Sequence, residues 1–226
     1  MDVPVSVLIT FVPMISALIL TFRENGSDGA KKLIKRSFDF KRITRKMWYA
    51  PILFIMPIVY LAVLWILGLI GDAPSESVFP LGMAPILLIM FFFMALGEEV
   101  GWTGYAYDPM EERWNASKAS PILGIIWAAW HIPLYIFVVE QTLLWAAGQL
   151  VVVIGFRILL VWIYNNTGKS LFAVILCHAV SNVPPAALPV YASPLGPVIT
   201  AVLVMIIVVI ITRVWDFQTL TQLRKN

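Results

Sequence analysis

Two adjacent carboxylates, Glu98 and Glu99, lie inside the apolar run PLGMAPILLIMFFFMALGEEVGWTGYAY. The two histidines of the chain, His131 and His178, lie inside two other apolar segments, and Asn182 follows His178 by one helical turn. Ionisable groups are costly at membrane depth, so their presence marks a buried polar site rather than surface decoration. Three kinds of chemistry suit such a set. A carboxylate supported by imidazole activates water. An imidazole beside an amide orients water or stabilises an oxyanion. One carboxylate with two imidazoles coordinates a divalent metal while keeping a water position open, although the HExxH spacing that would gather such a set on one helix is absent. Two readings without hydrolysis stand beside these: a proton or ion path in a transporter, and structural pairing of polar groups.

The elements that must position these residues are membrane helices. The 226 residues are 60% hydrophobic and only 13% charged, where soluble domains carry about 25% charge. Segments 3–22, 48–70, 83–107, 121–139, 141–164, 170–188 and 194–212 are each long enough to cross a hydrocarbon core of roughly 30 Å. They neither alternate nor stop at about 10 residues, as barrel strands would. The expected fold is therefore all-α: a polytopic helical membrane protein of about seven transmembrane helices. No linker divides it, so residues 1–226 read as a single transmembrane domain.

Loop charge gives the orientation. Arg23, Lys31, Lys32, Lys35, Arg36, Lys41, Arg42, Arg45 and Lys46 crowd residues 23–46 and mark a cytoplasmic connection. Arg113, Lys118, Lys169, Arg213, Arg224 and Lys225 fall on the same side, whereas 71–82, 139–141 and 189–193 hold no Lys or Arg. The formal charge of +3 is mostly this sidedness, so membrane lipids are the expected partner and nucleic acid is not. Leu33, Ile34, Phe38 and Ile43 have the spacing of a lipid-touching face on an interfacial helix. The start, with Asp2 and Pro4 and no basic n-region, does not read as a secretory signal peptide. Cys177 has no second cysteine for an intramolecular disulfide and reads as a small buried side chain.

Counting 1.5 Å of rise per residue from the cytoplasmic ends puts Glu98 roughly 14 Å deep, His131 roughly 15 Å and His178 roughly 12 Å. All three are expected at one level, in the cytoplasmic half of the membrane. Successive helical residues turn by about 100°, so Glu98 and Glu99 cannot both face one centre. One is expected to face the histidines while its neighbour makes a structural pair. Pro133, two residues after His131, is expected to break or kink its helix and open room there.

EEVGWTGY at 98–105, WAAWH at 127–131 with the following IPL, and HAVSN at 178–182 resemble the three motifs of the CAAX-protease and bacteriocin-processing (CPBP, or Abi) family of intramembrane proteases. Those motifs are a Glu-Glu pair followed by three residues and Arg, an aromatic followed by three residues and His, and His followed by three residues and Asn. They occur here in order between 98 and 182, and the seven-helix pattern extends the resemblance over most of the chain.

The resemblance implies an endopeptidase that cleaves a membrane-associated protein or peptide, the substrates of eukaryotic members being prenylated. It implies Glu98 as the general base, His131 as a water-binding partner, His178 and Asn182 as oxyanion stabilisers, and Glu99 as support. The family is commonly described as metalloproteases, which makes Glu98, His131 and His178 candidate ligands for a divalent metal such as Zn. A glutamate-activated water without zinc stands as the other mechanism. The expected location is a prokaryotic cell membrane.

Two positions depart from the motifs. Thr103 stands where the family has arginine, and Trp127 stands where it has phenylalanine. Without a cation the glutamate pair would share a proton, and Arg113 and Arg157 are the candidates to supply one. A non-proteolytic membrane binding or scaffold protein that keeps the fold is the alternative reading. The family commonly has a span before the one beginning VLITFVPMISALILTF, so an upstream family helix is expected to be missing.

Overall fold

The computed structural model describes residues 8–72, 79–137 and 141–221, and among these there is no strand. Helix α1 runs Val12–Arg36, α2 Tyr49–Leu69 and α3 Ala84–Gly101. A π-helical stretch, Trp102–Tyr107, joins α3 to α4, Asp108–Trp114. Then follow α5 Ala116–Phe137, α6 Leu143–Asn166, α7 Leu171–Ala187 and α8 Leu195–Val214.

Four stretches among the described residues are long and apolar enough to cross a membrane: Lys46–Leu69, Leu81–Trp114, Leu143–Asn166 and Leu195–Val214, with the apolar Leu171–Ala187 shorter. Their outward faces carry large apolar side chains, among them Phe54, Ile58, Leu61 and Trp65 on α2 and Val202, Ile206 and Ile210 on α8. Apolar area of that extent is a liability in water and suits contact with lipid tails. Helix α6 lies innermost, packed against α5, α7 and α8, and its residues Phe156–Tyr164 are all buried.

Several local features set the helices that carry the polar residues. Helix α3 packs between α1 and α7. Gly97 and Gly101 let α1 approach closely, since a Cβ on Gly97 would lie 2.8 Å from the Phe11 ring and one on Gly101 would lie 2.5 Å from Pro13. Helix α7 starts at Ser170, whose hydroxyl accepts from the Ala173 N–H. The Asp39 carboxylate in turn accepts from the Ser170 hydroxyl at 2.7 Å and the Phe172 N–H at 3.2 Å, an anion at a helix N-terminus.

The basic segment differs from its expected form. Helix α1 continues past the apolar run as far as Arg36, with a break at Gly26, whose φ of 65° suits glycine. Leu33 and Ile43 point into the protein, 5% and 1% exposed, while Ile34 and Phe38 are exposed. The four therefore form no common lipid-touching face, because Leu33 packs in the cluster with Ala17, Ala95, Val100 and Leu171. Helix α5 stays helical through both Pro121 and Pro133. Met1, Asp2 and Pro4, the loop around 139 and 140, residues 73–78 of the 71–82 connection, and Arg224 and Lys225 lie outside the described residues.

Candidate active site

Glu98 and Glu99 sit on the last turn of α3, just before the π-helical stretch, and their side chains diverge. Glu99 is fully buried and points at α6, where Arg157, also fully buried, donates to it twice, at 2.7 and 3.0 Å. The Thr103 hydroxyl donates to the same carboxylate at 2.5 Å and receives Arg157 at 3.1 Å. His178 Nδ1 lies 2.9 Å from Glu99 Oε1. The pair therefore has its cation. It comes from α6, and Thr103 is the small hydroxyl that leaves room for it. Arg113, the other candidate, lies instead over the ring of Trp114, 5.3 Å away.

Glu98 turns the other way. Among the described residues it accepts one side-chain hydrogen bond, from Trp127 Nε1 to Oε2 at 2.7 Å. Together with His131, His178 and Asn182 it lines a cavity of about 910 Å³, bounded by α1, α2, α3, α5, α6 and α7. The remaining walls are mostly apolar and aromatic, and include Tyr60, Tyr135 and Trp145. A cavity of that size with a few convergent polar groups has the form of a ligand site.

Hydrogen bonding fixes which imidazole nitrogen remains for that cavity. His131 Nδ1 lies 2.8 Å from the Trp127 carbonyl. A carbonyl accepts and cannot donate, so Nδ1 carries the proton and neutral His131 presents the Nε2 lone pair. The same logic applies to His178, whose Nδ1 is taken by Glu99. Edge-on contacts with Trp127 hold both rings, at centroid separations of 5.2 and 5.3 Å, and Tyr135 stacks on His131 at 5.7 Å. Pro133 also faces the cavity, so its contribution is to the wall rather than to a break in α5.

All five expected residues thus border one locus: Glu98, His131, His178 and Asn182 on the cavity, and Glu99 directly behind. Glu98, His131 and His178 do not form a metal-binding set as they stand, since among the described residues no three His, Cys, Asp or Glu groups are gathered to hold an ion. Sequence reasoning missed Tyr135 and Gln149. Tyr135 follows His131 by four, which puts both on one helix face. Gln149 shares a face of α6 with Val152, Val153 and Phe156, all of which line the cavity.

Fold and site together define a helical membrane protein with a few polar groups recessed in a largely apolar chamber. Residues 80–184 match the family model described as type II CAAX prenyl endopeptidase Rce1-like. The chain is also 29% identical over 185 residues to CAAX prenyl protease 2 of Methanococcus maripaludis, an alignment that covers 75% of this chain and 67% of that protein. Both results agree with the three motifs and support a protease similar to the CPBP family.

Proposed function

We propose that this protein hydrolyses a peptide bond of a membrane-associated substrate by water activated at Glu98. The observation that carries this reading is the asymmetry of the pair: Glu99 is saturated by Arg157, Thr103 and His178, while Glu98 keeps one oxygen for the cavity. Water held between that oxygen and His131 Nε2 loses a proton to Glu98 as it attacks the scissile carbonyl. Asn182 donates its amide N–H to the oxygen that becomes negative, and His178 assists through Nε2 when it is imidazolium. The proton on Glu98 then passes to the amine leaving group, which returns the carboxylate.

The relative's name supports a prenylated CAAX peptide as the substrate class, and the aromatic and aliphatic cavity walls suit an isoprenoid chain beside the peptide. The basic 23–46 segment supports a centre in the cytoplasmic half of the membrane, and the relative from Methanococcus maripaludis supports a prokaryotic cell membrane. The scaffold alternative drew its support from the absent arginine at 103, and Arg157 removes that support. No step here is routed through a metal.

The test uses purified protein in lipid vesicles and an internally quenched farnesylated peptide with a CAAX end. Mass spectrometry is expected to find the released tripeptide, and Glu98→Gln is expected to lower the rate by about 10³-fold or more. Cleavage retained by a folded Glu98→Gln variant would remove the base from the mechanism. Wild type that leaves the peptide intact, with or without the prenyl group, would overturn the peptidase reading for this substrate class. A parallel series with chelator followed by zinc reports metal dependence separately.

A further inference from the structure

We propose that Trp127 is the positioning residue that aims Glu98, and that Arg157 acts on both glutamates, on Glu99 directly and on Glu98 through the Trp127 indole. The inference deepens the role given to Glu98 above and rests on it.

The geometry is concentrated on one side chain. Trp127 is 2% exposed, and its indole N–H lies 2.7 Å from Glu98 Oε2. An indole has a single donor, so bonding Oε2 leaves the other oxygen, Oε1, for water. The torsion that rotates a glutamate carboxylate is broad and has two nearly equivalent states. An unheld carboxylate in this cavity would spread over both, and a base displaced by an ångström loses much of its effect. Trp127 removes that freedom.

The indole itself is held in turn. Arg157 Cζ lies 4.0 Å from the ring centroid, a cation–π contact made by a guanidinium that Glu99 already grips at two points. Phe156 also packs against the indole, at a centroid separation of 6.3 Å. The same residue fixes His131, because its carbonyl takes the Nδ1 proton at 2.8 Å. Trp127 therefore sets two of the groups that contact the attacking water, one with its side chain and one with its backbone. A phenylalanine at 127 would keep the second contact and the stacking face, and would lose the first.

Two variants separate donor from bulk: Trp127→Phe, and replacement of Trp127 by 3-benzothienylalanine, which keeps the bicyclic shape and has sulfur in place of N–H. With the farnesylated peptide, both are expected to lower kcat by about 10- to 100-fold with KM changed less than about twofold, because orientation of the base rather than substrate binding is lost. Thermal unfolding of the benzothienyl protein should match wild type. A second readout needs no turnover: isotope-edited infrared difference spectra should show the Glu98 carboxylate band, identified by its loss in Glu98→Gln, shifted in both variants. If both variants keep the wild-type kcat, or the band stays in place, Trp127 does not aim Glu98. If wild type fails to cleave the peptide, the peptidase reading falls, and the band alone decides whether the indole holds the carboxylate.

Discussion

Glu98 and Glu99 are consecutive residues on one helix, yet the two sides of α3 that they face are built on opposite plans. Behind the helix, Glu99 meets Arg157, Thr103 and His178 in a dry cluster with its acceptor capacity largely filled. In front, Glu98 meets one indole N–H and an open cavity. A buried carboxylate with matched donors is a structural element, because the charges are compensated and water has no place. One left with spare acceptor capacity beside a cavity is equipped to take a proton. The difference shows how a single helical step of about 100° divides an enclosed, compensated carboxylate from one that faces a cavity.

The sharpest break of this comparison sets activity against stability. Glu98→Gln should lower cleavage by about 10³-fold or more and unfold at the wild-type temperature. Arg157→Met should do the reverse in its primary effect: it leaves Glu99 buried without its cation and should cost about 3–5 kcal/mol of stability. Thermal or denaturant unfolding in detergent measures this. Adding Glu99→Gln to Arg157→Met should recover a large part of the loss, since the uncompensated charge is then gone. If Arg157→Met is as stable as wild type, the cluster behind α3 is not the structural half of the pair.

Much of this division was legible in the residues themselves. Rise counting brought Glu98, His131 and His178 to one level, and the turn per residue required the two glutamates to face different ways; the expectation that the paired glutamate would leave the histidines to its neighbour fails, since Glu99 itself binds His178 at 2.9 Å. Which glutamate would line the cavity followed only from the family resemblance. The source of the cation needed the fold. Arg157 lies 58 positions from Glu99, and nothing in local spacing distinguishes it from Arg113. Trp127 was read only as a departure from the family's phenylalanine, because an indole N–H has no direction until a helix rotation is known. The amphipathic reading of Leu33 and Ile43 failed for a related reason. Helical period predicts a shared face only where the helix is unbroken and its neighbours are known, and the chain leaves α1 at Arg36, before Ile43.

A finer probe asks whether Thr103 holds the cluster or merely makes room for Arg157. Its hydroxyl donates to Glu99 at 2.5 Å and accepts from Arg157 at 3.1 Å, so both polar roles are used. Thr103→Val keeps the shape and removes both bonds. It should cost about 1–3 kcal/mol in unfolding measurements, because a buried acceptor site and a guanidinium N–H lose partners. Thr103→Ser should restore most of that. A valine variant with unchanged stability would reduce Thr103 to a space-filling role and leave Arg157 as the whole of the compensation.

The smallest effect belongs to the polar cluster at the basic end, where Lys169 bridges Asp108 and Glu111, each at 2.8 Å. Burial works against the Lys169 ammonium, but its hydrogen bonds to Asp108 and Glu111 outweigh it and hold its pKa above the ordinary lysine value. Lys169 is half-exposed, so solvent screens the pair and Lys169→Met should cost only about 0.2–1 kcal/mol. The sign is fixed by the direction of the shift. A raised lysine pKa contributes stability that is complete below the unfolded value of about 10.4 and is lost as pH rises through the folded value. The gap in unfolding temperature between wild type and Lys169→Met should therefore be steady from neutral pH to about pH 9 and shrink above about pH 11. A gap that closes only at high pH would assign this small contribution to the charge of Lys169 rather than to the packing of its alkyl stem.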